Sequence, residues 1–239
     1  LDIGGTNVTS TAAELNLLDT KDATHLAVPG KIEGTNFTDS LLVGHATHGT
    51  LNAAEDNTGI GIAALDALTS GDGNTAVGSD AGSAINSGIR NTTIGAIAGK
   101  LITTSQQNTA VGYSSLTANI SGDKNTAIGA FSLNAVTGGF NIGVGKGAGA
   151  NITSGSGNVI IGADIDAAAV DSARTLKIAG NDGSTTTTWI TGDSSGNLTF
   201  AADVTVGDDL NLTTDSAVIN FGADSDTILT HTDGTGLTL

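Results

Sequence analysis

Several residue types are missing or rare in this sequence. It contains no cysteine, no methionine and one proline among 239 residues, and aromatic residues make up only 3%. Without cysteine the chain forms no disulfide and offers no thiolate to a metal, so the sequence does not define a redox compartment. The large side chains of a wide globular core are scarce. The apolar residues are mostly Ala, Val, Ile and Leu, and together with 35 glycines they favour narrow, stacked β-structure.

Basic residues are also scarce, with 8 Lys and Arg against 24 acidic residues and a net charge of −16. Such a surface repels nucleic-acid phosphates and anionic membranes, so we expect no nucleic-acid partner. No apolar run approaches the ~18 residues of a membrane span, and we expect no membrane insertion. No signal peptide is recognisable. The chain begins at Leu1 and stops within a strand pattern at Leu239, so we expect it to be a piece of a longer protein.

A 17-residue repeat occupies the middle of the chain. Its clearest element is Asn-Thr-Ala-Val-Gly at 74–78 and 108–112, which returns with Ile for Val at 125–129. Alignment on the last glycine gives eight copies at spacings of 17 residues, with one spacing of 16. Val or Ile precedes every aligned glycine, and Asn stands four residues before it in all copies but the first, which has Ser40. The aligned residues are Gly44, Gly61, Gly78, Gly95, Gly112, Gly129, Gly145 and Gly162, with Asn57, Asn74, Asn91, Asn108, Asn125, Asn141 and Asn158.

Each repeat predicts two short strands and two turns, which is one coil of a β-roll or β-solenoid. Eight coils at ~4.8 Å each would stand roughly 35–40 Å tall. We expect the Val or Ile to point into the coil and stack on its equivalents. The glycine is expected to adopt positive φ or to allow close backbone approach. The Asn is expected to bond corner backbone groups and to pair with the Asn of the next coil.

The pattern divides the chain into three parts. Residues 1–39 are an N-terminal segment in which the capping box Thr11–Glu14 predicts one short helix over 11–18. Residues 40–166 are the eight-coil repeat domain. Residues 167–239 are a short-strand fibrous region that begins with a hairpin predicted from 173–180 and 185–192. Beyond the hairpin, short alternating strands bury little surface in one chain, so we expect a β-shaft in which three chains intertwine.

The repeats resemble the head repeats of trimeric autotransporter adhesins, which are left-handed β-rolls that pack three to a bundle. With this longer period they are also similar to segments of bacteriophage tail fibres. The segment Thr-Ala-Ala-Glu-Leu-Asn-Leu-Leu-Asp at 11–19 resembles a module of tail-fibre-like proteins from marine bacteriophages. The strands from residue 196 onward resemble the fibrous parts of phage tail and fibre proteins.

This resemblance implies a homotrimeric, all-β structural protein of a virion, a tail fibre that mediates or supports attachment to a host cell. The implied partners are other fibre or tail proteins and a glycan or protein receptor on the host surface. The alternative is a bacterial trimeric surface adhesin or an extracellular filament subunit, located at the cell surface.

Motifs of catalysis are missing from the sequence. The Gly-rich run at 143–149 contains Lys146 but lies in register with the repeat and lacks the P-loop spacing, which indicates a coil. A polysaccharide-degrading tailspike, the third alternative, would need paired carboxylates in a groove. Glutamate occurs only as Glu14, Glu33 and Glu55, and no acidic residue recurs on the strands. We expect no catalytic residue, no enzymatic activity and no cofactor.

Several residues are candidates for a metal or sugar site. His45 and His48 lie in the first coil. In a trimer, one such histidine supplies three imidazoles, which are enough to bind a metal. The alternative is that these histidines are ordinary surface or packed residues. The acidic residues in the turns are candidates for calcium binding, and the alternative is that Asp simply favours turns. Trp189 and Tyr113 offer rings for a sugar, although we expect Trp189 to plug the junction after the repeats. The acidic turn residues are Asp72, Asp123, Asp182, Asp193, Asp208, Asp209, Asp224 and Asp226.

Overall fold

The computed structural model describes residues 2–3, 6–7, 30–34, 37–43 and 51–206, with side chains at 40–43 and 51–206. The chain separates into two units, Leu1–Ala202 and Asp203–Leu239, and only residues 203–206 of the second unit are described. The helix predicted over 11–18 and the strands predicted beyond residue 206 lie outside the described residues. So do Gly44 and all four histidines, His25, His45, His48 and His231.

Every regular element within the described ranges is a β-strand. The strands are β1 Asp2–Ile3, β2 Thr6–Asn7, β3 Gly30–Gly34, β4 Phe37–Val43, β5 Ala54–Glu55, β6 Thr58–Ile60, β7 Thr75–Val77, β8 Thr92–Ile94, β9 Thr109–Val111, β10 Thr126–Ile128, β11 Ile142–Val144, β12 Val159–Ile161, β13 Leu176–Asn181, β14 Thr186–Gly192 and β15 Leu198–Phe200. β1 and β2 form a separate antiparallel pair.

The repeat strands stack into one parallel ladder, in the order β4, β6, β7 and so on to β13. Each strand pairs with the equivalent residues of the next repeat, so that Thr58 lies beside Thr75, Thr75 beside Thr92 and Thr92 beside Thr109. The predicted fold class is therefore confirmed as all-β with a parallel β-solenoid of about eight 17-residue coils. The single 16-residue repeat leaves the register intact, because Thr126 still pairs with Ile142.

Antiparallel strands cover both ends of the parallel ladder. β3 pairs antiparallel with β4 at one end. At the other end β13 pairs parallel with β12 and antiparallel with β14, which in turn pairs with β15. The hairpin predicted from 173–180 and 185–192 is thus present as β13 and β14. These strands occupy the backbone groups through which an open parallel edge would recruit further strands.

The coils of β7 to β12 contain one strand each, so the prediction of two strands per repeat is wrong for them, and among the described coils only that of β5 and β6 has a second strand. The second small apolar element, such as Ala64-Leu65, lies in an extended turn. Leu65 adopts a left-handed backbone with φ of 57°, which curls the chain and prevents a strand. Its hydrogen bonds still run between coils, since the Leu65 N–H donates to the Ala81 carbonyl at 3.2 Å.

The core of the solenoid is narrow. The middle residue of each repeat strand points inward and is small in most coils, as Ala76, Ala110 and Ala127 are, and all three are fully buried. Large aliphatic side chains enter from the turns on the opposite side of the coil. Those with essentially no exposed surface are Leu65, Leu68, Ile85, Ile102, Leu116, Leu133, Val136, Ile152 and Ile165. This pairing of small with large side chains fills a cross-section that has no room for aromatic residues.

The aligned glycines stand where each strand ends. Those in the described coils have φ between 126° and 135°, a region open essentially to glycine alone. A Cβ added at Gly95 would lie 2.7 Å from the carbonyl carbon of Gly112 in the next coil. Both the backbone conformation and the close approach between coils therefore require glycine here.

We expect Gly95→Ala to reduce the free energy of unfolding by about 2–5 kcal/mol, since left-handed strain and overpacking add. The matched control is Gly73→Asn, at φ of 65° with 3.6 Å to the nearest atom. Equivalent positions already hold Arg90 and Gln107, so this change should cost less than about 1 kcal/mol. Urea unfolding followed by circular dichroism measures both values. Equal losses in the two variants would contradict the interpretation.

Candidate assembly surface

A ladder of buried asparagines runs along one corner of the solenoid. All seven asparagines of the repeat motif have no exposed surface. The Asn108 side-chain oxygen accepts the backbone N–H of Asn125 at 2.9 Å and its side-chain amide at 3.2 Å. The Asn74 amide also donates across the corner to the Gly88 carbonyl at 2.8 Å. No buried side-chain polar atom in the described part of the chain lacks a partner. These residues therefore act in coil-to-coil stacking.

We expect Asn108→Ala to lower the free energy of unfolding by about 1–3 kcal/mol, because it leaves the buried Asn125 N–H without its acceptor. Asn52→Ala removes the same atoms from an exposed side chain, and it should change stability by less than about 0.5 kcal/mol. Urea unfolding midpoints compare the two variants. A loss at Asn108 no greater than that at Asn52 would show that the ladder contributes little.

The outward residues of the repeat strands form what we call the outer face, made by the first and third residues of β6 to β12. The first position is Thr in β6 to β10, and the third is Val or Ile throughout. Ile60, Ile94 and Ile128 are 43%, 39% and 42% exposed. The prediction that these Val and Ile residues point into the coil is therefore wrong. Strand alternation gives the inward place to the middle residue, so the third residue points away from the core.

The outer face is uncharged and becomes more apolar toward the C-terminal coils. Ile142 and Val159 replace the threonine of the earlier strands. None of the seven strands contains a charged residue, although the chain carries a net charge of −16. At ~4.8 Å per strand the face runs for roughly 30 Å. An exposed, uncharged face of this extent is a candidate interaction surface.

Two edges border the outer face, and we name them by their neighbours. The Asn-side edge consists of the residue just before each corner position: Asp56, Gly73, Arg90, Gln107, Lys124, Phe140, Gly157 and Arg174. The Gly-side edge consists of the two residues after each aligned glycine: Ile62, Ala63, Ser79, Asp80, Ala96, Ile97, Tyr113, Ser114, Ala130, Phe131, Lys146, Gly147, Ala163 and Asp164. Because the strands are parallel, each edge collects the same repeat position from every coil.

Aromatic rings lie on both edges. On the Gly-side edge, Tyr113 and Phe131 stack edge to face with ring centroids 5.3 Å apart. On the Asn-side edge, the Lys124 ammonium lies 5.0 Å from the Phe140 ring centroid. Phe140 is 60% exposed and Tyr113 is 52% exposed. The rings therefore extend the apolar surface beyond the strands, with a cation beside one of them.

The Gly-side edge also carries two ion pairs. Asp80 bonds the Lys100 ammonium at 3.0 Å, and Asp164 bonds the Lys146 ammonium at 2.8 Å. Lys146 is the lysine of the Gly-rich run at 143–149, whose residues form strand β11 and its following turn. That run is a coil of the solenoid, with its lysine engaged by a carboxylate.

The described acidic turns use their carboxylates as backbone acceptors. Asp72 accepts the Glu55 N–H and Asp123 accepts the Gln106 N–H, each at 2.9 Å and each from the preceding coil. The Thr185 and Ser184 amides lower the pKa of Asp182. The Asn197 side-chain and backbone amides lower the pKa of Asp193.

Within the described ranges no group of three or more metal-binding side chains is brought together. The remaining acidic candidates, Asp208, Asp209, Asp224 and Asp226, lie outside the described residues, as His45 and His48 do. The acidic residues of the described turns thus have a structural role, in line with the preference of Asp for turns.

Trp189 does not plug the junction after the repeats, contrary to the prediction. It is 54% exposed on β14, and its ring covers Gly180 of β13, where an added Cβ would lie 2.8 Å from the ring. A cavity of about 230 Å³ does lie beside this hairpin, lined by Ile160, Leu176 and Thr191 among others. Its one acidic side chain, Asp193, is held in a turn by Asn197.

Comparison of the chain with family models, with curated proteins and with solved structures finds no match. Among the residues that the structure describes, no helix has the length and apolar character needed to cross a bilayer. The candidate site of this protein is therefore the outer face with its two edges, which sequence reasoning missed because it assigned the repeated Val and Ile to the core.

Proposed function

We propose that this chain is a structural segment of a virion fibre, of the bacteriophage tail-fibre kind, in which three parallel copies bury their outer faces against one another. The observation that carries the proposal is the outer face itself, an uncharged β-branched surface on an otherwise acidic solenoid. Such a fibre supports host-cell attachment by holding receptor-binding elements away from the particle. The proposal assigns no catalytic residue, and its basis on the phage side is the resemblance of the repeats and of segment 11–19.

Burial of the outer face against copies of itself follows from its shape. Every coil presents two outward residues at the same two positions, so parallel copies bring equivalent uncharged positions together along the whole length of the face. Bringing such faces together removes Ile60, Ile94, Ile128 and their equivalents from water, which is the main favourable term in association. A closed cyclic assembly leaves no apolar face uncovered. The acidic residues that remain outside keep a long particle soluble.

The proposed partners lie at the ends and on the outside of the assembly. Other fibre or tail proteins would continue the fibre, and a glycan or protein on the host surface would be the receptor. The second candidate is a bacterial trimeric adhesin or extracellular filament subunit, which the similarity to adhesin head repeats favours. Both candidates use the same outer face for assembly and differ in the particle that carries the fibre.

We expect Ile128→Lys to dissociate the assembly into folded monomers, because it places three ammonium groups in a dry interface. The affinity between copies should fall by at least about 100-fold, or roughly 2.7 kcal/mol. The matched control is Ile120→Lys, at a residue 51% exposed in the turn eight positions past Gly112, on the other side of the coil. Sedimentation equilibrium measures the mass, and circular dichroism checks the fold. A wild-type chain that sediments as a monomer would overturn the proposal.

Immunogold electron microscopy with antibodies against the purified chain tests whether the protein is located on phage particles or on the bacterial surface. We expect gold particles on fibres of phage particles from cultures of the natural host. Gold on bacterial surfaces free of phage would favour the adhesin. Absence of label from both, with antibodies that recognise the chain in blots of the same samples, would contradict both candidates.

A further inference from the structure

We propose that adjacent copies meet through unlike edges with an offset of one coil. In this arrangement Arg90 of one copy pairs with Asp80 of the next, and Arg174 pairs with Asp164 in the same way. The inference rests on the proposed assembly through the outer face. It goes further by assigning the contacts that fix the vertical register between copies.

The distribution of cations is the first observation. The whole chain contains only eight Lys and Arg residues. Three of them, Arg90, Lys124 and Arg174, lie on the Asn-side edge, and the two arginines are the only ones in the sequence. All three side chains are exposed. Neither guanidinium forms an ion pair among the described residues, although Arg90 lines a shallow pocket with Glu55, Asp56 and Asp72 of its own chain. Arginine in such a place suits an interface, where its planar group binds carboxylates and stacks on rings.

The Gly-side edge presents the complementary groups. Asp80 and Asp164 lie on it, and so do the exposed rings of Tyr113 and Phe131. The Asp80 carboxylate uses Oδ2 for Lys100, which leaves Oδ1 for a second cation. Asp164 is about half exposed, and both of its oxygens accept from the Lys146 ammonium at 2.8 Å, so a second cation would share this carboxylate with Lys146. The Asn-side edge therefore carries both guanidinium groups, and the Gly-side edge carries two carboxylates and two of the exposed rings.

Parallel packing decides which edges meet. When copies lie side by side with their solenoid axes parallel, rotation about a common axis brings the left edge of each copy to the right edge of its neighbour. Antiparallel pairs bring like edges together instead. Like edges would place Arg90 and Lys124 of one copy near cations of the other, which is unfavourable. Unlike edges place them near carboxylates and rings.

Copies in a closed ring stand at the same height, so the offset in contacts comes from the rise of the chain within each coil. With an even climb of ~4.8 Å per 17-residue turn, Arg90 would lie roughly 2 Å below Ile97 of its own coil and roughly 3 Å above Asp80 of the preceding coil. At the interface, Arg90 of one copy therefore reaches either level of the adjacent copy. Side-chain chemistry selects between the two levels.

The two possible levels give different contacts. At equal level, Arg90 faces the aliphatic side chain of Ile97, and no ion pair forms along the edge. With a one-coil offset, Arg90 meets Asp80 and Arg174 meets Asp164, two ion pairs that the sequence places ten residues apart in both cases. The same offset brings Phe140 to Phe131 and Lys124 to Tyr113. Both levels give Lys124 and Phe140 an aromatic or cationic neighbour, so the two arginines, which meet a carboxylate only with the offset, distinguish the two levels.

Cysteine cross-linking tests this register directly, because the full chain contains no cysteine. Two double variants are compared, Arg90→Cys with Asp80→Cys for the offset and Arg90→Cys with Ile97→Cys for equal level. A short bismaleimide reagent joins thiols only when they are close. The two edges of one copy lie roughly 15–20 Å apart at ~3.3 Å per residue, so a link requires two copies. We expect covalent trimers from the first variant and at least tenfold fewer from the second.

Controls separate this inference from the proposed assembly. The pair Arg174→Cys with Asp164→Cys repeats the test at the other end of the edge, and should also give covalent trimers. The single variants should remain uncrosslinked, since like edges do not meet. If sedimentation shows a trimer, three results would overturn the offset. They are strong links from the 90/97 variant, strong links from a single variant, and no links from either double variant. A monomer by sedimentation would overturn the assembly itself.

Discussion

The asparagine ladder fixes the position of every coil relative to the next, and the rest of the structure depends on it. Each amide accepts two hydrogen bonds from the following asparagine while its own Nδ2 bonds across the corner, as Asn74 does to Gly88. Inside a dry corner such bonds are costly to leave unmade. A coil that slipped by one residue would break them at once, so the strands stay aligned at equivalent repeat positions even across the one 16-residue repeat.

Fixed alignment turns a short motif into continuous surfaces. Because equivalent residues stack, the middle strand residue always points to a narrow core, and Ala76, Ala110 and Ala127 suffice to fill their side of it. The third residue always points outward, and the Val or Ile at that position joins its equivalents into one apolar face. The aligned glycines allow this stacking to be tight, since a Cβ at Gly95 would collide with the next coil. Core and outer face are two results of the same alternation.

The sequence predicted the solenoid because its period is explicit: the glycine and asparagine columns give the coil length, the number of coils and the parallel stacking. It predicted the hairpin of β13 and β14 from alternation and a turn at Asn181-Asp182-Gly183. The facing of the Val and Ile residues was not predictable from hydrophobicity alone. In a three-residue strand the apolar residue usually faces the core, whereas here the large side chains of the core are leucines and isoleucines from the turns. Leu65, Leu116 and Leu133 point into the core from positions with a left-handed backbone. Their residue type does not predict this conformation.

The edges show why assembly and fold are specified by different positions of one repeat. Asparagine and glycine are nearly invariant among the coils, because each coil needs the same corner and the same close approach. The position before each asparagine varies freely among Asp56, Gly73, Arg90, Gln107, Lys124 and Phe140, although all six share left-handed backbone. Its side chains lie outside the core, so the fold does not constrain them. The placement of both arginines at this one position is thus free to serve contacts beside the solenoid, and in the proposed assembly the carboxylates on the opposite edge of a second copy are their partners.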